Sequence, residues 1–300
     1  MDIIKKLSRS IREYKIVSIM TPVCIVFEVI FEILIPFMMA KMIDSGISSG
    51  NESALVKYGT LLILCVMAGL VFGILSGGLC ATASAGFAKN LRKDMYYKIQ
   101  EYSFANIDKF SSSSIVTRLT TDVTNVQNAY MMIIRIAVRA PFMLIFALIA
   151  AFMTSTKLSL IFFIAIPVLG IGLYIIVSRS HIYFERVFKI YDNLNEVVEE
   201  NLTGMRVVKS FVREDFEEKK FTRVSEAIYK MFLKAEGIVA YNMPLMQFCI
   251  YSCMLFLCWF GARMIITSGA TALTTGELTS LIAYAMTILN CLMMLSLIHI

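Results

Sequence analysis

The sequence predicts an all-α integral membrane protein with six transmembrane helices, and three observations carry that prediction. Hydrophobic residues fill 58% of the 300 positions and mean hydropathy is +0.74, whereas soluble domains sit nearer about 45–50% apolar. Six apolar runs recur along the chain, each close to or above the roughly 20 residues that a helix needs to cross about 30 Å of hydrocarbon. The charges are confined to the segments between those runs. A bilayer core offers no water to backbone N–H and C=O groups, so such runs fold as helices.

Residues 1–15 carry Lys5, Lys6, Arg9, Arg12 and Lys15 and read as an N-terminal cytoplasmic or interfacial helix feeding the first span. A cleaved signal peptide is disfavoured: the run behind is too long, contains Glu28 and Glu32, and shows no small-residue cleavage pattern. The spans that follow are Ile16–Ala40, Leu61–Phe87, Met131–Met153, Leu158–Val177, Leu245–Ile266 and Leu278–Ile300. The first, third and fifth connections are short: Lys41–Tyr58, Thr154–Lys157 and Thr267–Glu277. The second and fourth, Ala88–Tyr130 and Ser178–Pro244, are long.

Of the 28 Lys and Arg residues, 22 lie in the N-terminal segment and the two long connections. Only Lys41, Lys57, Lys157 and Arg263 lie on the other side, and Arg135 and Arg139 fall inside the third span. Basic residues beside spans stay in the cytoplasm. The expectation is therefore a multi-pass cell-membrane protein with both termini and both long connections inside. A net charge of +6 distributed this way belongs to a membrane topology and not to nucleic-acid binding.

The long connections do not read as disordered. In the second of them Tyr183, Val187, Ile190, Leu194 and Val197 recur at steps of four and three, flanked by Glu185, Arg186, Lys189, Asp192, Glu196 and Glu199. That is one apolar stripe on a helix. Leu91, Met95, Ile99 and Tyr102 make a similar stripe in the first. The membrane helices thus continue into the cytoplasm, by roughly 25 residues or about 35–40 Å each. Each extension reverses at a tip, near Ser103–Phe110 and near Lys209–Phe216. Both tips carry aromatic residues suited to packing within the bundle or to a groove on a partner. All five prolines, Pro22, Pro36, Pro141, Pro167 and Pro244, lie in or beside spans, where they bend helices.

Seven cysteines sit in apolar runs with no Cys-x-x-Cys pair. Cys249 and Cys253 share a helix face, but no histidine or third thiol completes a zinc set, so no metal site is predicted.

Several stretches together resemble the transmembrane domain of exporter-type ATP-binding-cassette (ABC) transporters. They are Glu200-Asn201-Leu202-Thr203-Gly204 running on to Lys209-Ser210-Phe211, then Arg213-Glu214; and Leu91 to Asp94, Lys109-Phe110 and Thr117 to Asp122. The run Arg135 to Pro141 is similar to bacterial multidrug exporters whose halves often pair as heterodimers. The resemblance covers about residues 15–296. It implies a second transporter half, identical or different, and two coupling helices that dock on nucleotide-binding domains. Mapped onto this chain, coupling helix one holds Phe104, Ile107, Asp108 and Phe110, and coupling helix two holds Phe211, Arg213, Glu214 and Phe216. Arg118, Asp122, Glu200 and Gly204 are assigned structural support, with Arg118 and Asp122 spaced for an ion pair. Ser114 stands where many members have glycine.

No Gly-x-x-x-x-Gly-Lys-Ser/Thr loop occurs in the sequence, so no nucleotide is bound by these residues. ATP and Mg are expected on a nucleotide-binding domain elsewhere. The expectation is a sequence cut before that domain; the alternative is a permease subunit whose ATPase is a separate polypeptide. The implied function is ATP-driven export of amphipathic, drug-like or lipid-like substrates by alternating access.

Glu28 and Glu32 lie one turn apart in the first span, and intramembrane carboxylates are costly enough to suggest function. With Arg135 and Arg139 they form a substrate cavity for cations or an internal ion-paired cluster, or else they occupy a water-exposed position. A rival reading makes this a proton-coupled secondary transporter using Glu28 and Glu32, which would predict inverted repeats; none stands out.

Overall fold

The computed structural model describes residues 7–103 and 112–299, and every element among them is helical. We number the α-helices α1 Lys15–Met42, α2 Glu52–Gln100, α3 Ser112–Thr117, α4 Val123–Thr154, α5 Thr156–Ser210, α6 Glu214–Val239, α7 Asn242–Ser268 and α8 Thr275–His299. A 3-10 segment, Arg9–Tyr14, precedes α1, and π-helical turns occupy Ile43–Ile47 and Arg118–Asp122. Six stretches are long and apolar enough to cross a membrane by length and composition, matching the six runs in the sequence.

The continuation of membrane helices into polar territory is present, but the two extensions differ in length. Helix α2 runs on from Phe87 to Gln100, about 20 Å at 1.5 Å per residue. Helix α5 runs on from Val177 to Ser210 without interruption, about 50 Å. The sequence estimate of 35–40 Å falls between them, because the apolar stripes mark a helix face but not where the chain turns. The return of the second extension is broken at Ala240–Tyr241, between α6 and α7. Pro244 has no N–H to donate to Ala240 four residues earlier, so an unbroken α-helix loses a hydrogen bond there.

Two compact units are distinguishable, residues 1–160 with 256–294 and residues 161–255 with 295–300. In the first, α1, α2 and α4 pack on one another. Small residues line the buried faces: Ala83 and Ala88 on α2, and Ala140, Ala147 and Ala151 on α4. Small side chains let helix backbones approach where no hydrophobic force operates between helix and lipid. Buried Tyr284 of α8 donates its hydroxyl to the Ile33 carbonyl of α1 at 3.1 Å.

Two further contacts hold this unit at its ends. Asp44, in the π-helical turn after α1, accepts hydrogen bonds from the Thr274 hydroxyl at 2.6 Å and the Gly276 N–H at 2.9 Å. It caps the otherwise unsatisfied donors at the start of α8. Thr274 and Glu277 add a reciprocal capping box there. Gly276 is required: a Cβ at this position would collide with the Ala40 carbonyl oxygen.

At the other end, the 3-10 segment lies against α2. Asn90 donates to the Ser10 carbonyl at 3.0 Å, the Ser10 hydroxyl donates to Asp94 at 3.1 Å, and Arg12 pairs with Asp94 at 2.6 Å. The Tyr14 ring sits over the bare Cα of Gly86, where a Cβ would stand 2.5 Å from ring carbons. The N-terminal segment, expected as a helix at the membrane interface, is thus fastened to α2 by side chains.

In the second unit, α5 and α6 form an antiparallel pair. Phe232 of α6 meets Phe184 and Tyr191 of α5 edge-on, with ring centroids 6.4 and 6.1 Å apart. Polar pairs nearer the tip are Asn201 with Glu217 at 3.3 Å and Lys220 with Glu200. The predicted stripe on α5 faces inward: Val187 and Val197 are buried, Tyr183, Ile190 and Leu194 are half-buried, and the flanking charged residues are exposed.

Candidate functional site

Two features collect the residues singled out in the sequence: the tip between α5 and α6, and an ionic cluster among α1, α2 and α4.

At the tip, α5 ends at Ser210 and α6 begins at Glu214. The Arg213 N–H reaches back to the Val208 carbonyl at 3.0 Å, and the Val212 N–H points at the Lys209 carbonyl at 3.4 Å. This is the Schellman way of ending a helix, which places one residue in the left-handed region, usually glycine. Here that residue is Val212, with φ +48°, a conformation that costs a β-branched side chain on the order of 1–2 kcal/mol. The reversal is therefore a strained three-residue turn leading into α6: of the residues assigned to coupling helix two, Phe211 and Arg213 lie in the turn and Glu214 and Phe216 in the first turns of α6.

The side chains presented there are apolar. Phe211 is 72% exposed, Val212 80% and Phe216 60%. Phe211 and Phe216 line a concavity of about 480 Å³ together with Val207, Val208, Arg213 and Glu217. Lys209 pairs with Glu214 at 3.0 Å across the turn. A backbone hydrogen bond at the helix start, followed by this lysine, holds the Glu214 carboxyl below the usual carboxylate range. The tip is thus a turn bridged by the Lys209–Glu214 ion pair and presenting exposed phenylalanines. Val212 escaped the sequence reading because nothing in the one-dimensional pattern marks a valine in a glycine position. Glu200 is engaged by Lys220 a few turns from the tip, and half-buried Gly204 has no neighbour within 4 Å of where a Cβ would be.

Phe104, Ile107, Asp108 and Phe110, assigned to the first tip, lie outside the described residues. Beside them, Arg118–Asp122 is a π-helical turn. Arg92 of α2 ties this turn down, donating to the Leu119 carbonyl at 3.3 Å and the Thr124 hydroxyl at 3.1 Å.

In the ionic cluster, Arg139 of α4 divides its guanidinium between two carboxylates of α1. Nη1 meets Glu28 Oε1 at 2.8 Å and Nη2 meets Glu32 Oε2 at 2.6 Å. Ser76 of α2 donates to the second oxygen of Glu28 at 3.1 Å. The side chain of Glu28 is 14% exposed and that of Glu32 41%. Arg135, one turn earlier on α4, is exposed and does not join them. Of the alternatives left open by the sequence, internal pairing is present through Arg139, with two carboxyl groups facing one guanidinium. Among the described residues no group of three or more His, Cys, Asp or Glu is placed to hold a metal ion.

Comparison with known proteins gives these features a context. Residues 18–292 match the model of the ABC transporter transmembrane region. The chain is 30% identical over 284 residues to the uncharacterized ABC transporter ATP-binding protein YfiB of Bacillus subtilis, covering 95% of this chain and 49% of that protein. It is 26% identical over 295 residues to the uncharacterized ABC transporter ATP-binding protein Rv1273c of Mycobacterium tuberculosis, covering 96% and 49%. It is 23% identical over 296 residues to the ATP-dependent lipid A-core flippase of Pseudoalteromonas translucida, covering 98% and 50%. The chain spans about half the length of these relatives.

Proposed function

The chain belongs to the ABC transporter transmembrane-region family, and from that premise we propose that it is the membrane half of an ATP-driven exporter of amphipathic substrates. It works with a second half, identical or different, and with nucleotide-binding domains that hold ATP and Mg. Closure of those domains on ATP moves the α5–α6 hairpin, and the spans switch between inward- and outward-facing states. The termini and the hairpin tips are cytoplasmic, and the membrane is the cell membrane.

The observation that carries this reading is the tip: a rod about 50 Å beyond the fourth apolar run ends in exposed Phe211 and Phe216 around a concavity. A secondary carrier has no use for a stiff lever ending in an apolar knob. Amphipathic cargo is supported by the lipid A-core flippase among the relatives. Glu28 and Glu32 do not favour a proton relay, because both are tied to Arg139.

The test is transport of an amphipathic dye by the transporter reconstituted in vesicles. Transport should require ATP and survive collapse of the proton gradient by an ionophore. Uptake driven by the gradient without ATP would replace this proposal with the proton-coupled carrier.

A further inference from the structure

The basic residues around the N-terminal segment are not scattered. Arg9 and Arg12 belong to the 3-10 segment, Lys15 opens α1, and Lys89 and Lys93 stand on the stretch of α2 to which that segment is fastened. Lys89 and Lys93 are one helical turn apart and adjoin Asn90 and Asp94, the α2 residues that hold Ser10 and Arg12, so with Arg9, Arg12 and Lys15 on or just after the docked segment they form one patch. Arg12 is committed to Asp94, whereas Arg9, Lys15, Lys89 and Lys93 are exposed and make no ion pair among the described residues. Counting Glu13 and Asp94 against the five basic groups, the patch carries a net charge of +3.

Its position in the fold matters as much as its charge. Lys89 follows within two residues of Phe87, where the second apolar run ends. Immediately beyond Lys15, Ile16 is 75% exposed and Ile19 66% exposed, on the first turns of α1. A fixed cationic surface therefore borders exposed aliphatic side chains at the boundary of the hydrocarbon. A phosphate head carrying acyl chains matches both halves of that surface, and a soluble anion matches only one.

We infer that this patch is a binding site for an anionic phospholipid of the leaflet it faces, its phosphate among Arg9, Lys15, Lys89 and Lys93 and its chains along Ile16 and Ile19. If the patch is cytoplasmic, as the proposed orientation has it, that leaflet is the inner one. Each basic side chain at a leaflet surface favours anionic lipid by roughly fivefold. Three net charges at that factor would give about a hundredfold at most, and about tenfold or more over zwitterionic lipid is the preference expected.

The experiment places the transporter in nanodiscs of phosphatidylcholine with or without phosphatidylglycerol, and reads lipid retention by native mass spectrometry together with the thermal midpoint. Both leaflets of a nanodisc have the same composition, so the result does not depend on orientation or on ATP coupling. Phosphatidylglycerol should be retained about tenfold over phosphatidylcholine and raise the midpoint. The variant R9Q/K15Q/K89Q/K93Q should lose both effects, while R206Q/K219Q/R223Q/K230Q, which removes the same charge from the α5–α6 hairpin, should keep them. Equal retention of the two lipids by the wild type, unchanged preference in the first variant, or equal loss in the second overturns the inference. So does stabilisation by inorganic phosphate alone in phosphatidylcholine discs.

Discussion

Replacing Arg139 with glutamine is expected to destabilise the folded chain by about 3 kcal/mol. The guanidinium serves two carboxylates that lie one helical turn apart on α1, at 2.8 and 2.6 Å. Without it, Glu28 and Glu32 face each other inside a membrane bundle, where an uncompensated carboxylate is costly. Most of the loss arises at Glu28, whose side chain is only 14% exposed and also accepts from Ser76, and less at Glu32, which is 41% exposed. The combined variant E28Q/E32Q/R139Q should recover most of the loss, because replacing a whole buried ion-paired group is far less harmful than removing one partner. Arg139→Lys should recover only part, since a single ammonium lacks the planar fork that serves two carboxylates. Arg135→Gln should stay within about 0.5 kcal/mol of the wild type, because Arg135 is exposed and outside the cluster. Thermal or denaturant unfolding in detergent measures all four. Equal effects at Arg135 and Arg139 would remove the cluster from this account.

Phe211→Ala should cut substrate-stimulated ATP turnover in the assembled transporter by about tenfold, the size of loss expected when an aromatic anchor is truncated at an interface. Phe216→Ala should act in the same direction, because both rings line the same concavity at the tip. Neither change should alter unfolding of the chain by more than about 0.5 kcal/mol, since the rings are 72% and 60% exposed and little of their packing is internal. Loss of stimulation with unchanged stability is the signature of a docking residue. Unchanged stimulation would exclude Phe211 from the contact between membrane part and motor.

Much of this architecture was legible in the sequence because it follows from one-dimensional rules. Hydrocarbon thickness sets the length of each apolar run, and helical periodicity sets the stripe on α5, where Val187 and Val197 are the buried residues. What depends on distance in the chain was not legible. Arg135 and Arg139 share a face of α4, and the choice of Arg139 turns on the level at which α4 meets Glu28 and Glu32 of α1, which sequence spacing does not give. Asp44 caps α8 across 232 positions, a pairing that no local pattern announces. The strap from Arg9 to Tyr14 needs Gly86 to be bare beneath a ring, and a glycine in an apolar run looks the same whether it packs or not. At the second tip the aromatic residues were visible as candidates, whereas the left-handed Val212 that shapes the turn emerges only from the backbone.

The central claim is that the α5–α6 tip lies on the cytoplasmic side and is gripped there by a nucleotide-binding domain. The most direct measurement introduces Val212→Cys, at a position of the turn that is 80% exposed, into a chain whose seven native cysteines are replaced. A membrane-impermeant maleimide is then applied to intact cells and to inside-out vesicles. The thiol should react only in inside-out vesicles, and should be shielded when the nucleotide-binding domain is in place. Labelling in intact cells, or labelling indifferent to that domain, would contradict the account.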